Sequence, residues 1–408
     1  MARNSTHDIV IIGGGAGGIA TAASLLKRRP LLDIAIVEPQ SEHYYQPGWT
    51  MVGGGVFDAP VTCRPMASVM PERAHWIRRA AASFQPEANR VTLDDGSTIE
   101  YKLLVVAPGI RLAWEQIKGL EETLGRNGVT SNYRYDLAPY TWELVRNLKS
   151  GRAIFSQPPM PIKCAGAPQK AMYLSCDAWA ERGVLDAIDV EFRNAGGVLF
   201  GVEAYVPALM DYVARYGIDL KLQQKLVAVD GEAKTATFET IEGGETVGFD
   251  MLHAVPPQVA PDFLARSPLA QADSGFVEVD KHTLQHPRFA NVFGLGDAAS
   301  TPNAKTAAAA RKQAPIVAVN ALAVLDGRNP SALYDGYGSC PLTVERGRIV
   351  LAEFGYDGKL LPSFPRWLID GTKPHRLSWL LKSEALPWIY WNGMLKGHEW
   401  LGKPKEAA

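Results

Sequence analysis

Short β-branched apolar runs punctuate this chain, and each ends in a turn of small residues. Asp8-Ile-Val-Ile-Ile12 is the first. It is too brief for a buried helix and lacks polar alternation, so it predicts a parallel strand covered on both faces. Six glycine or alanine positions follow (Gly13 to Gly18), then a helical pattern over Ile19–Arg29 and a second strand, Asp33–Val37. The same texture recurs at Leu103–Ala107, Arg152–Ser156, Asp189–Phe192, Asp219–Leu222, Lys225–Val229, Thr235–Thr240, Met251–Val255, Phe276–Val279 and Val292–Gly294. Further helices are expected over Ala171–Ala180, over Tyr205–Tyr216 and from Lys305-Thr306 onward. Alternating strands and helices predict an α/β fold with parallel sheets.

The first turn carries chemistry. Gly13-Gly-Gly-Ala-Gly-Gly18 reads as G-x-G-x-x-G with Gly13, Gly15 and Gly18 as its glycines. The first allows the tight turn, the second the approach of a pyrophosphate, the third close helix–strand packing. The helix start then faces the phosphates. Glu38 ends the second strand, 20 residues beyond Gly18, where a carboxylate grips a ribose 2′-hydroxyl; this disfavours a 2′-phosphate. Leu103–Ala107 closes on Pro108-Gly109. Val292-Phe-Gly-Leu-Gly-Asp297 closes on an acid, whose simpler reading is a helix cap. Pairing a distant strand-Gly-Asp with the N-terminal glycines resembles the flavoproteins with two dinucleotide-binding domains. The expected fold is therefore two Rossmann-like dinucleotide-binding domains plus a C-terminal segment. The FAD-binding domain spans 1–112 and 274–330, the second domain spans 113–273, and a C-terminal region spans 331–408.

The second domain has the strand for a nicotinamide fingerprint, Arg152–Ser156, but not the glycines. Pro158, Pro159 and Pro161 stand where backbone amides should meet a pyrophosphate, and proline has none to donate. Cys164 follows, just ahead of the expected helix, with Lys163 and Lys170 nearby, a setting that favours thiolate. Cys340 lies in Gly338-Ser-Cys-Pro341, read as a similar Gly/Pro-framed turn. Cys176 reads as a small buried hydrophobe in a helix, and Cys63 has no evident partner.

Composition narrows the field. Lys+Arg number 42 and Asp+Glu 43, so there is no basic excess for a nucleic-acid partner. Four cysteines without CxxC or HExxH spacing give neither a secreted disulfide scaffold nor a metal site. No secretory signal precedes the first strand, and no apolar run approaches the ~20 residues that span a bilayer.

Lys163-Cys-Ala-Gly-Ala-Pro-Gln-Lys170, Val292–Asp297, Lys305-Thr-Ala-Ala and Tyr334-Asp-Gly-Tyr-Gly-Ser-Cys-Pro341 resemble sulfide:quinone oxidoreductase, in the branch that includes the mitochondrial enzyme. The likeness runs along the whole chain. Other members usually carry a further cysteine between the domains; residues 109–151 here have none. The resemblance implies FAD, held by Gly13, Gly15, Gly18 and Glu38 on its ADP half and by Ala81 beside the adenine. Gln46 and Gly109 would lie along the cofactor, with Asp297, Lys305, Thr306 and Ala307 around ribityl and ring. It also implies catalysis by Cys164 and Cys340, joined directly or through bridging sulfur. Hydrosulfide would attack the bridge, leaving a persulfide on Cys340 and a thiolate on Cys164 that donates to the flavin. Electrons would go to ubiquinone or another membrane quinone. Sulfur would go to a small acceptor such as glutathione, sulfite or sulfide.

From Trp367 onward tryptophans recur at 379, 388, 391 and 400, among leucines with lysines and arginines close by. This predicts an amphipathic segment lying in a membrane interface without crossing it, with a Trp-rich dimer contact or core cover as the alternative. The expected location is peripheral or monotopic, on the bacterial inner membrane, with a homo-oligomer left open. Three other functions stay in view: the flavoprotein subunit of a flavocytochrome c sulfide dehydrogenase, a type II NADH dehydrogenase, and a flavin-linked cysteine redox sensor.

Overall fold

In the computed structural model, which describes residues 5–400 and 402–406, the β-branched runs become the centres of two sheets. The first sheet uses β1 (Ser5–Ile12), β2 (Ile34–Val37), β3 (Ala74–Ile77), β4 (Ala81–Gln85), β5 (Arg90–Leu93) and β6 (Thr98–Val106), in the order β3-β2-β1-β6-β5-β4. Ile11 aligns with Ile36 on one side and Val105 on the other, and all three are fully buried. That two-sided burial is why the runs lack polar alternation.

The second sheet holds β7 (Val129–Thr130), β8 (Gly151–Gln157), β9 (Ile188–Asn194) and β10 (Asp219–Leu222). An antiparallel meander follows, β11 (Lys225–Asp230), β12 (Thr235–Thr240) and β13 (Gly243–Gly248), and then β14 (Met251–His253) returns to this sheet. Its order is β7-β14-β8-β9-β10, all parallel. The chain then re-enters the first unit. The expected strand at Phe276–Val279 does not form: Val277 makes only isolated bridges to Ala270 and Ala299. β15 (Val292–Gly294) completes the first sheet by pairing with the upper half of β6.

Two helices brace the first sheet, α1 (Ala16–Arg28) and, after β15, a 19-residue helix over Ala307–Leu325. Alanines and valines (Ala22, Ala314, Val317, Ala321) form their shared core with Ile19 and Leu25, and their small size permits close approach. In the second unit α2 (Ala167–Glu181) packs under the sheet; Met172, Tyr173, Cys176 and Trp179 are fully buried. Cys176 is thus a core residue, its thiol pushed up by burial. With α2 placed, the Ala307–Leu325 helix is α3.

The C-terminal region opens with a hairpin, β16 (Gly338–Glu345) and β17 (Arg348–Phe354). Cys340 is therefore in an extended strand opposite Ala352, not in a turn. Pro341 marked a turn in the sequence, but β16 is the edge of its sheet, where a missing N–H costs no ladder bond. The tail continues as α4 (Arg376–Leu380) and further helical turns to Lys396. No helix of the described residues is long and apolar enough to cross a membrane.

Candidate active site

The glycine loop follows from backbone geometry. Gly13 has φ +101°, and a Cβ there would lie 2.4 Å from the Ala107 carbonyl oxygen. A Cβ on Gly18 would lie 1.9 Å from the Gly13 oxygen. Beside Gly15 there is open space, and α1 starts on Gly15 with no side chain capping its amides. The anion cradle is built and left free for a phosphate. Glu38 accepts from Gly14 N at 2.8 Å and from Gln40 N at 2.8 Å, so the carboxylate expected at the ribose also fixes the loop. Ala81 begins β4 in the apolar cluster behind Val37 and Val106. Gly109, at φ +80°, turns the chain out of β6 into open space. Gly18→Ala is expected to overpack this turn by about 1–3 kcal/mol and to yield protein depleted of flavin, read as the flavin-to-protein absorbance ratio after purification.

The other end of this crevice is polar. Asp297 lies in a short turn of helix, Gly296–Ala298, and does not cap α3; Thr306 does, accepting from Ala309 N at 3.1 Å. Ala307 is the first residue of α3. Burial raises the Asp297 carboxyl above its usual range, opposed by Lys305 and Lys163. Lys305 donates to the Ala299 carbonyl at 2.7 Å and lies over the Phe276 ring. Burial lowers its ammonium to about 8. The Asp297 carboxylate therefore stays available to a hydroxyl-bearing ligand. A free phosphate cradle at one end and this acid beside the start of α3 at the other fit FAD.

The turn bearing Cys164 is held against the Lys305 segment ahead of α3. Cys164 N donates to the Lys305 carbonyl at 2.8 Å, and Tyr133 OH donates to the carbonyls of Lys163 and Cys164 at 3.1 and 3.2 Å. Cys164 has φ +50°, a left-handed conformation that a non-glycine residue keeps only when its surroundings impose it. Its Sγ lies 3.6 Å from Cys340 Sγ, across 176 residues of sequence. Lys170, buried in the first turn of α2, donates to Cys164 Sγ at 3.0 Å and reaches Cys340 Sγ at 3.9 Å.

The two thiols are made unequal. The hydrogen bond from Cys340, then the charge of Lys170, hold the Cys164 thiol well below its usual range, against burial. That same hydrogen bond and burial hold Cys340 well above it. The pair is thereby biased toward thiolate on Cys164 and thiol on Cys340. Of the two lysines expected beside Cys164, Lys163 turns away and donates to Gln46 Oε1 at 2.8 Å. The further cation acting on Cys164 is Lys382 from the tail, which no local motif marks. Lys382 is buried, donates to the Pro47 carbonyl at 2.8 Å, and is lowered to about 7 by burial and by Lys170. Cys63 does have a partner, Glu42 Oε2 at 3.3 Å, and is pushed up to about 11 by burial and that carboxylate; it takes no part here.

The start of α2 packs against β16. A Cβ on Gly166, the residue before α2, would lie 2.3 Å from Leu342 and 2.6 Å from Cys340 Sγ. The proline run ahead of it lacks the backbone amides that would meet a second pyrophosphate.

A phosphate cradle, a buried acid at the far end and two unequal thiols between define a class, the flavoprotein disulphide oxidoreductases. The family described as pyridine nucleotide-disulphide oxidoreductase matches residues 7–158. Within that class the chain belongs to the sulfide:quinone oxidoreductase family. It is 43% identical to the mitochondrial sulfide:quinone oxidoreductase of Dictyostelium discoideum over 97% of this chain and 87% of that one. To the mitochondrial enzyme of Mus musculus it is 39% identical over 96% and 87%. The X-ray structure of the sulfide:quinone oxidoreductase from Aquifex aeolicus superposes with a TM-score of 0.79 at 22% identity, covering 95% of this chain and 92% of that one, and so shares its fold.

Proposed function

We infer that this protein oxidises hydrogen sulfide, with FAD as resident cofactor and a quinone as electron acceptor. The observation that carries the sulfur chemistry is the Cys164–Cys340 pair, 3.6 Å apart with the Lys170 ammonium on both sulfurs. When bound, FAD takes up the electron pair released by sulfur and returns it to the quinone. Gly13, Gly15, Gly18 and Glu38 would hold the ADP half, with Ala81 toward the adenine, and Gln46, Gly109, Asp297, Lys305, Thr306 and Ala307 would line the rest.

The residues' own part is sulfur exchange. With the two cysteines joined directly as a disulfide, hydrosulfide attacks the sulfur of Cys340. A new S–S bond forms there, the bond toward Cys164 breaks, and Cys164 leaves as thiolate. Leaving-group thiols of low pKa depart fastest, and the Lys170 ammonium, 3.0 Å from its sulfur, stabilises Cys164 in that form. Lys170 and Lys382 also draw an anionic nucleophile toward the buried sulfurs. The persulfide on Cys340 passes its outer sulfur to a small acceptor such as glutathione, sulfite or sulfide. The test is steady-state reduction of a short-chain quinone by the holoenzyme: sulfide should support it, and NADH should not.

The tail is the membrane contact in this reading. Its inner side is anchored: Tyr390 OH meets His43 Nε2 at 2.7 Å, and Trp391, Met394 and Leu395 join the core of the first unit. Its outer side shows Leu377, Leu380 and Trp388 to solvent, with Trp367 nearby in sequence at 85% exposed. Such a surface favours a lipid interface. The Leu380→Glu, Trp388→Glu variant removes two side chains worth about 1.5–3 kcal/mol each when fully buried. It is expected to bind lipid vesicles more than about tenfold more weakly in co-sedimentation, with flavin content unchanged.

A further inference from the structure

We propose that His7, Asp33 and His75 form a binding site for a divalent cation of the zinc type, at the end of the first sheet remote from the glycine loop. The three side chains come from adjacent positions across three parallel strands. His7 is on β1, Asp33 immediately precedes β2, and His75 is on β3; Ile34 of β2 pairs with Ile9 of β1 and Ala74 of β3. His7 Nδ1 lies 2.9 Å from Asp33 Oδ1, and His75 Nε2 lies 3.4 Å from the same oxygen. All three atoms fall within 4.8 Å of one another, and no other histidine, cysteine and carboxylate set among the described residues does so.

The chemistry of the donors names the ion. Two imidazoles and a carboxylate make an N/O set suited to zinc, with one position of a tetrahedron left for water. Metal–ligand bonds of about 2.0–2.1 Å place tetrahedral donors roughly 3.3 Å apart. Both Asp33 separations are already close to that. The imidazole-to-imidazole gap closes by rotation of His75, whose side chain is 66% exposed. Behind the donors Asp8 fixes the frame. Its Oδ2 accepts from Asp33 N at 3.3 Å and its Oδ1 pairs with Lys102 at 2.8 Å. Such outer contacts orient a ligand carboxylate.

A bound ion would clasp β1, β2 and β3 together. His7 is six residue steps along the strand from Gly13, roughly 20 Å at ~3.3 Å per residue, so the site is independent of the sulfur chemistry. The experiment is a zinc chloride titration of the FAD-loaded enzyme, read by calorimetry and by metal analysis after equilibrium dialysis. Wild type should bind one zinc per chain at micromolar free metal. His75→Ala, chosen because its exposure spares the fold, and Asp33→Asn should each weaken binding by at least ~tenfold. Cys340→Ser should bind as wild type does, and His75→Ala should keep sulfide-dependent activity. Equal zinc affinity in His75→Ala, loss of binding in Cys340→Ser, or no zinc bound by wild type would each overturn the proposal.

Discussion

Cys340→Ser is expected to abolish sulfide-dependent quinone reduction, by at least ~10³-fold, while the protein keeps its FAD. The size follows from what is removed. Serine cannot form the S–S bond through which hydrosulfide enters, and no other cysteine can substitute: Cys176 is a buried core residue and Cys63 is hydrogen-bonded to Glu42. The fold should tolerate the change. Cys340 is held by strand pairing to Ala352 and by packing beside Leu342, and serine preserves both the backbone and nearly the volume. Steady-state turnover with sulfide and a short-chain quinone checks it. Retention of more than a tenth of wild-type turnover would remove Cys340 from the mechanism.

Lys170→Met should produce the second large effect, and one with a pH signature. The Cys164 thiol is held down first by the hydrogen bond from Cys340 and then by Lys170. Methionine leaves the first and deletes the second, so the thiol rises and its thiolate form is populated only at higher pH. Turnover at neutral pH should fall by about 10²-fold, and the acidic limb of the pH–rate profile should move to higher pH, with recovery as pH is raised. A uniform loss at all pH values would point to damage by packing instead. Lys382 has the opposite tendency: burial and Lys170 already lower its ammonium to about 7, so removing Lys170 should favour its charged form. That partial compensation is why activity should be displaced along the pH axis and not eliminated.

Much of this was legible in the sequence because the relevant signals are local. A β-branched run, three spaced glycines, a helix and Glu38 lie within 31 residues of one another, and that short segment folds as the strand, glycine turn, helix and strand read from it. Asp297 and Thr306 were likewise fixed by the strand and helix on either side of them. What escaped notice depends on distant chain segments. Lys382 reaches the sulfurs only because the tail folds back over Pro47, and no neighbouring residue marks it. The same return brings Tyr390 to His43 and Trp391 into the core, so a tail read from its tryptophans as a surface segment is only half exposed. Cys340 was read as a turn because glycine and proline flank it. Its strand is specified by Arg348–Phe354, the partner across the hairpin, and by an edge position that makes Pro341 harmless. Lys163 attracts the Cys164 thiolate through space, as the sequence suggests, but gives its hydrogen bond to Gln46, a partner 117 residues away that no local signal marks.

Anaerobic mixing of the purified holoenzyme with hydrosulfide, and separately with NADH, with the oxidised-flavin absorbance followed in time, tests the account most directly. Rapid bleaching by hydrosulfide and none by NADH is expected, since the Cys164 turn is bonded to Lys305 just ahead of α3 and Pro158, Pro159 and Pro161 remove the amides a second pyrophosphate would need. Bleaching by NADH with no response to hydrosulfide would contradict it.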